Sequence, residues 1–82
     1  MQEGNSPERR FVAGSVVATV WLNRKKEELE TFRTISLARN YKDKDGKWQS
    51  TNSFRINDLP KAAMVLNKAY EYLTLKEGTE ND

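Results

Sequence analysis

Eighty-two residues leave room for one small domain, and folding a chain this short hides only about 60% of its unfolded surface. Neither cysteine nor histidine occurs, which excludes disulfides, thiolate zinc sites, cysteine nucleophiles and histidine bases, and leaves oxygen ligands alone for any metal. The net charge of +2 is uneven: residues 1–57 carry eleven Lys or Arg against seven Asp or Glu, and residues 58–82 carry three against five.

Small secreted domains usually offset a thin core with disulfides, so their absence points to a reducing compartment, and the cytoplasm is the expected location. No stretch has the apolar run of a signal peptide or of a membrane span, and no membrane partner is expected. The basic excess in the first two-thirds of the chain is what a sheet facing a polyanion would carry.

In chain order, residues 1–10 are polar, contain Pro7 and lack apolar periodicity, so they read as a flexible arm. Phe11 to Leu22 alternates, with Val16, Ala18, Val20 and Leu22 on one face and Val17, Thr19 and Trp21 on the other, which predicts a long strand. Gly14 marks a bulge or a close backbone approach, or a break that would divide this segment in two. Asn23 to Thr31, with Arg24-Lys25-Lys26-Glu27-Glu28, is a charged protruding loop. A second strand runs from about Phe32 to Tyr41, placing Arg33, Ile35, Leu37 and Arg39 on one face and Thr34, Ser36 and Ala38 on the other. Asp43-Lys44-Asp45-Gly46 supplies a tight hairpin turn, and Trp48 to Ile56 alternates as a third strand, with Tyr41 expected across from Trp48.

Asn57-Asp58-Leu59-Pro60 is a helix start, with Asp58 as the cap and proline tolerated in the first turn. Leu59, Ala62, Ala63, Leu66, Ala69, Tyr70 and Leu73 then recur at helical spacing, which predicts Leu66 and Tyr70 deep against the sheet and leaves Met64, Val65 and Tyr72 as a secondary apolar flank. Only one sheet face is apolar enough to receive that stripe: Val16, Ala18, Val20, Leu22, Ile35, Leu37, Phe54 and Ile56. The expected fold is therefore α+β: an antiparallel β-meander of three, possibly four, strands with one C-terminal helix on one face. Residues 11–75 form the single β-β-β-α domain, and residues 76–82 form a flexible acidic tail.

No enzyme signature is present. The chain has no glycine-rich phosphate loop and no Gly-x-Ser-x-Gly elbow, and Asp43 and Asp45 before Gly46 lack the later ligands of a calcium loop. A non-enzymatic protein without a cofactor is expected. The sheet face turned away from the helix, assigned Val17, Thr19, Trp21, Thr34, Ser36, Ala38, Gln49, Thr51, Ser53 and Arg55, mixes an aromatic ring with hydroxyls and a cation. Bases stack on such rings while cations hold phosphates, so single-stranded DNA or RNA is the expected partner, bound without sequence preference. The candidate contacts are Trp21, Arg39, Lys42, Lys47, Trp48 and Arg55. A protein-interaction or assembly module using the Trp21 face is the alternative. Uncovered strand edges and apolar flanks lead to the expectation of a homodimer, formed through strand edges or through the Trp21 face.

The run Arg39-Asn40-Tyr41-Lys42-Asp43-Lys44-Asp45-Gly46-Lys47-Trp48, with Thr51-Asn52-Ser53-Phe54, Asn57-Asp58-Leu59-Pro60-Lys61-Ala62 and Lys68-Ala69-Tyr70-Glu71-Tyr72-Leu73, resembles a family of short, uncharacterised prokaryotic proteins over roughly residues 11–75. That resemblance implies no activity. At the level of architecture, antiparallel strands followed by a C-terminal helix also look like the single-stranded-DNA-binding modules of the Whirly and positive-cofactor-four type. This likeness implies a dimer that binds through sheet surfaces, on a fold with four strands before its helix.

Overall fold

A computed structural model describes residues 5–25 and 30–75. Four antiparallel strands in sequence order, β1 (Asn5–Ala13), β2 (Val16–Arg24), β3 (Thr31–Lys42) and β4 (Trp48–Thr51), form one meander sheet. A 3₁₀ turn (Ile56–Asp58) leads into helix α1 (Leu59–Thr74), which packs on one face. The architecture is the expected α+β meander in its four-strand form.

Gly14 makes the difference between three strands and four. Its φ of 61° is the left-handed conformation that glycine adopts without a Cβ penalty, and the Gly14–Ser15 turn folds the expected single strand into the β1–β2 hairpin. Residues 5–10, expected as a flexible arm, are consequently the first half of β1, paired with the outer half of β2. Their polarity misled because β1 is an edge strand whose side chains are mostly exposed, so period-2 apolar patterning is not required of it. The register skips a residue between Pro7 and Arg9, and Glu8 at this bulge sends its carboxylate to the helix side, where it accepts hydrogen bonds from the Tyr72 hydroxyl and from Arg33 Nε at 2.7 Å.

Two other boundaries also move. β4 ends at Thr51 instead of reaching Ile56, because the Ser53 amide donates to Thr51 Oγ1 at 3.1 Å and the Ser53 carbonyl accepts from Arg39 Nε at 3.0 Å, which bends the chain toward the helix. Asp58 does precede α1, but its carboxylate reaches back to accept the Arg55 amide at 2.9 Å and makes no bond to the helix amides ahead of it. Part of the charged loop, residues 26–29, and the acidic tail, residues 76–82, lie outside the described residues, as do residues 1–4.

The core is narrow. Val16, Ala18 and Val20 of β2 are fully buried under Ala62, Val65 and Ala69 of α1, with Phe11, Leu37 and Phe54 at its rim. The helix is therefore rotated from the expected orientation. Val65 is 3% exposed, whereas Leu66 is 42% and Tyr70 66% exposed. Small residues win the sheet-facing positions because α1 lies close over β1 and β2, where Lys61 sits against Gly14 and Tyr72 meets Phe11 edge-on at 5.9 Å between ring centroids. Ile56, expected in the core, stands exposed on the 3₁₀ turn.

Candidate functional site

The sheet face opposite α1 carries a groove of about 750 Å³. Strand alternation builds it: Arg10 and Val12 from β1, Val17, Thr19 and Trp21 from β2, Ser36 and Ala38 from β3, and Trp48 and Ser50 from β4 all point to this side. Its floor is small or hydroxylic, so an aromatic or planar ligand group can approach the backbone closely. Both tryptophans of the chain border it.

The two rings are held differently. Trp21 is half-buried, and its indole N–H donates to Ser36 Oγ at 2.9 Å across the β2–β3 pair, which fixes the ring orientation. Next to it, the Asn23 amide bridges to Thr34 Oγ1 at 3.1 Å and stiffens the end of the hairpin. Trp48 is 69% exposed and stands directly opposite Lys42, whose Nζ lies 5.4 Å from the ring centroid. The expected Tyr41 partner is not there: Tyr41 pairs with Gln49 on the helix side, one residue out of phase with Trp48, and its ring lies 5.7 Å from the Arg39 guanidinium. A one-residue change of pairing exchanges the two faces of a strand, so Gln49 and Thr51 join the helix side while Trp48 and Ser50 join the groove.

The hairpin that presents Trp48 is organised by Asp43. Its Oδ1 accepts the amides of Asp45 and Lys47, each at 2.9 Å, and its Oδ2 accepts the Gln49 side chain at 2.9 Å. The Gln49 amide is the main cause, with the Lys47 and Asp45 amides, of an Asp43 pKa below the usual aspartate range. Gly46, at a φ of 80°, closes the turn.

Of the six candidate contacts, Trp21 and Trp48 line the groove towards opposite ends, and Lys42 lies beside Trp48 on the same sheet face. Lys47 is exposed in the turn beside Trp48. Arg55 lies beyond β4 at the entry to the 3₁₀ turn, away from the groove lining. Arg39 is on the helix side, where its Nε lies 3.4 Å from Asp58 Oδ2 and holds the β4–α1 connection. The side chain missed from sequence is Arg10, a groove cation hidden in a segment without apolar periodicity; the two-residue step from Val12 back to Arg10 was the available signal.

Glu8 forms a second charged cluster on the helix side. Hydrogen bonds from Tyr72 first, then Arg33, hold its carboxyl below the usual range, and the Arg9 guanidinium lies 5.2 Å from the centroids of both the Phe11 and Tyr72 rings. These bonds tie β1 and β3 to the end of α1.

No family model, curated protein or solved structure matches this chain. Among the described residues, no helix is long and apolar enough to cross a membrane.

Proposed function

We propose that the open sheet face is a single-stranded nucleic-acid-binding surface that tolerates any base sequence. The observation that carries this reading is the placement of Trp21 and Trp48 on the border of one groove with a small, hydroxyl-bearing floor. Two rings offer two stacking platforms, and every base has a π-face, so stacking selects for unpaired strands and not for sequence. Arg10 in the groove and Lys42 beside Trp48 supply cations for phosphates, and Lys47 extends that charge around the turn. The hydroxyls of Ser36 and Ser50 and the Asn40 side chain can take base edges or sugars without fixing base identity.

The test is a fluorescence-anisotropy titration of labelled oligothymidylate at two salt concentrations, with a duplex of the same length as control. Single strands should bind, with affinity falling as salt rises because phosphate neutralisation releases counterions. Duplex should bind more weakly, since its bases are already stacked. Absence of binding at low salt overturns the reading. The assembly alternative draws on Val12 and Val17, apolar side chains in the same groove; binding of a protein partner that is indifferent to salt would favour it.

A further inference from the structure

The two tryptophans stand far apart in the groove. Trp21 lies across from Thr34 of β3, and Trp48 lies across from Lys42, eight residues further along the same strand. At about 3.4 Å per residue along β3, and two steps of about 4.8 Å from β2 to β4, their backbones are about 29 Å apart. That gap exceeds the reach of one base or of two stacked bases, so a mononucleotide or dinucleotide cannot touch both rings.

The polar and charged groups divide between the same two ends. Lys42 Nζ lies 5.4 Å from the Trp48 ring centroid. Arg10 pairs with Thr19 and is therefore the diagonal neighbour of Trp21, a placement that separates two residues by about 7–8 Å. Between the ends, Val12, Val17 and Ala38 form one apolar row across β1, β2 and β3. Ser36 lies on the Trp21 side of that row, and the Asn40–Ser50 pair lies on the Trp48 side. The row offers neither a ring for stacking nor a cation for phosphate.

On the basis of the nucleic-acid reading above, we infer that the groove is bipartite. Each end holds a base on its tryptophan and a nearby phosphate on its cation, and the ligand is a single strand long enough to occupy both ends at once. A strand that keeps its bases stacked rises about 3.4 Å per nucleotide and needs about nine nucleotides to cross, and an unstacked, extended strand needs about five. Binding at one end holds the rest of the strand near the other, so the second contact forms at high effective concentration and affinity steps up at the bridging length. The nucleotides over the apolar row serve as a tether, and their bases contribute little.

Three thymidine oligomers, each nine nucleotides long, separate these roles. One is intact, one has two thymines at each end and abasic positions between, and one has four contiguous thymines at its centre and abasic positions outside. The last two carry the same phosphates and the same number of bases, so their salt-dependent attraction is equal. Anisotropy titration at low salt should show the end-loaded strand binding at least about tenfold more tightly than the centre-loaded one. Trp48→Ala removes an exposed ring outside the core and should erase that difference. Equal affinity of the two abasic strands, tighter binding of the centre-loaded strand, or a preference that survives in Trp48→Ala overturns the bipartite groove while the intact strand still binds. Failure of the intact strand to bind overturns the nucleic-acid reading itself, and the bipartite groove with it.

Discussion

The indole N–H of Trp21 donates to Ser36 Oγ across the β2–β3 pair, and this bond restrains the ring on the open sheet face. A pre-oriented ring loses little conformational freedom on stacking. Trp21→Ala and Trp48→Ala should each weaken binding of oligothymidylate by about 1–3 kcal/mol, roughly five- to 150-fold. Trp21→Phe should retain much of the affinity, and Ser36→Ala should lose less than Trp21→Ala because it frees the ring without removing it. Anisotropy titrations measure all four; an unchanged affinity in both alanine variants would remove the groove from consideration.

Arg39 and Lys42 are three residues apart on β3 and point to opposite faces, so their removal should have separable effects. Arg39→Ala breaks the bond to the Ser53 carbonyl and the pair with the buried Asp58, and should cost about 1–3 kcal/mol of stability in urea denaturation. Lys42→Ala should leave stability nearly unchanged and flatten the salt dependence of oligonucleotide binding by close to one phosphate contact.

Val65 and Leu66 are neighbours in sequence and separate in role. Val65→Ala trims the core beneath α1 and should cost about 1–3 kcal/mol. Leu66→Ala should cost less than a buried leucine would, because Leu66 is 42% exposed. Thermal melts distinguish the two; a loss of about 2–5 kcal/mol in Leu66→Ala would place that side chain in the core.

Asp43 gives the hairpin a pH dependence whose sign is determined by its lowered pKa. A carboxyl that binds its proton more weakly in the fold than in the unfolded chain contributes stability above the unfolded pKa, near 3.8, and loses it as pH falls through the lower folded value. The wild type should therefore be more stable than Asp43→Asn above about pH 4, with the difference shrinking as the solution is acidified below that point. Paired denaturation curves check this, and a gap that widens on acidification would contradict it.

Local rules made much of the fold legible in the chain. The alternation of Val16, Ala18 and Val20, the Asp43–Gly46 turn and the Asp58–Pro60 helix start each rest on neighbours in sequence, and the structure has strands, turn and helix at those places. Gly14 was readable as a break only in alternative form, since its positive φ depends on the β1–β2 pairing that forms around it.

What the sequence by itself determined was that Val16–Leu22, Phe32–Tyr41 and the residues after Trp48 are strand and that a helix starts near Pro60, and that one sheet face carries Trp21 among hydroxyls, because period-2 and period-3.6 patterns follow from backbone geometry alone. Tertiary structure decided which of two apolar helical stripes meets the sheet. Ala62 and Ala69 of the expected stripe are buried, but Val65 from the other flank joins them in place of Leu66 and Tyr70, because these small side chains let α1 close on β2 and packing at short range prevails over summed hydrophobicity. It also decided the phase of β4, putting Trp48 with Trp21 on the groove and Arg39 behind the sheet, because the register of a hairpin depends on where its turn closes and no residue type announces that in advance.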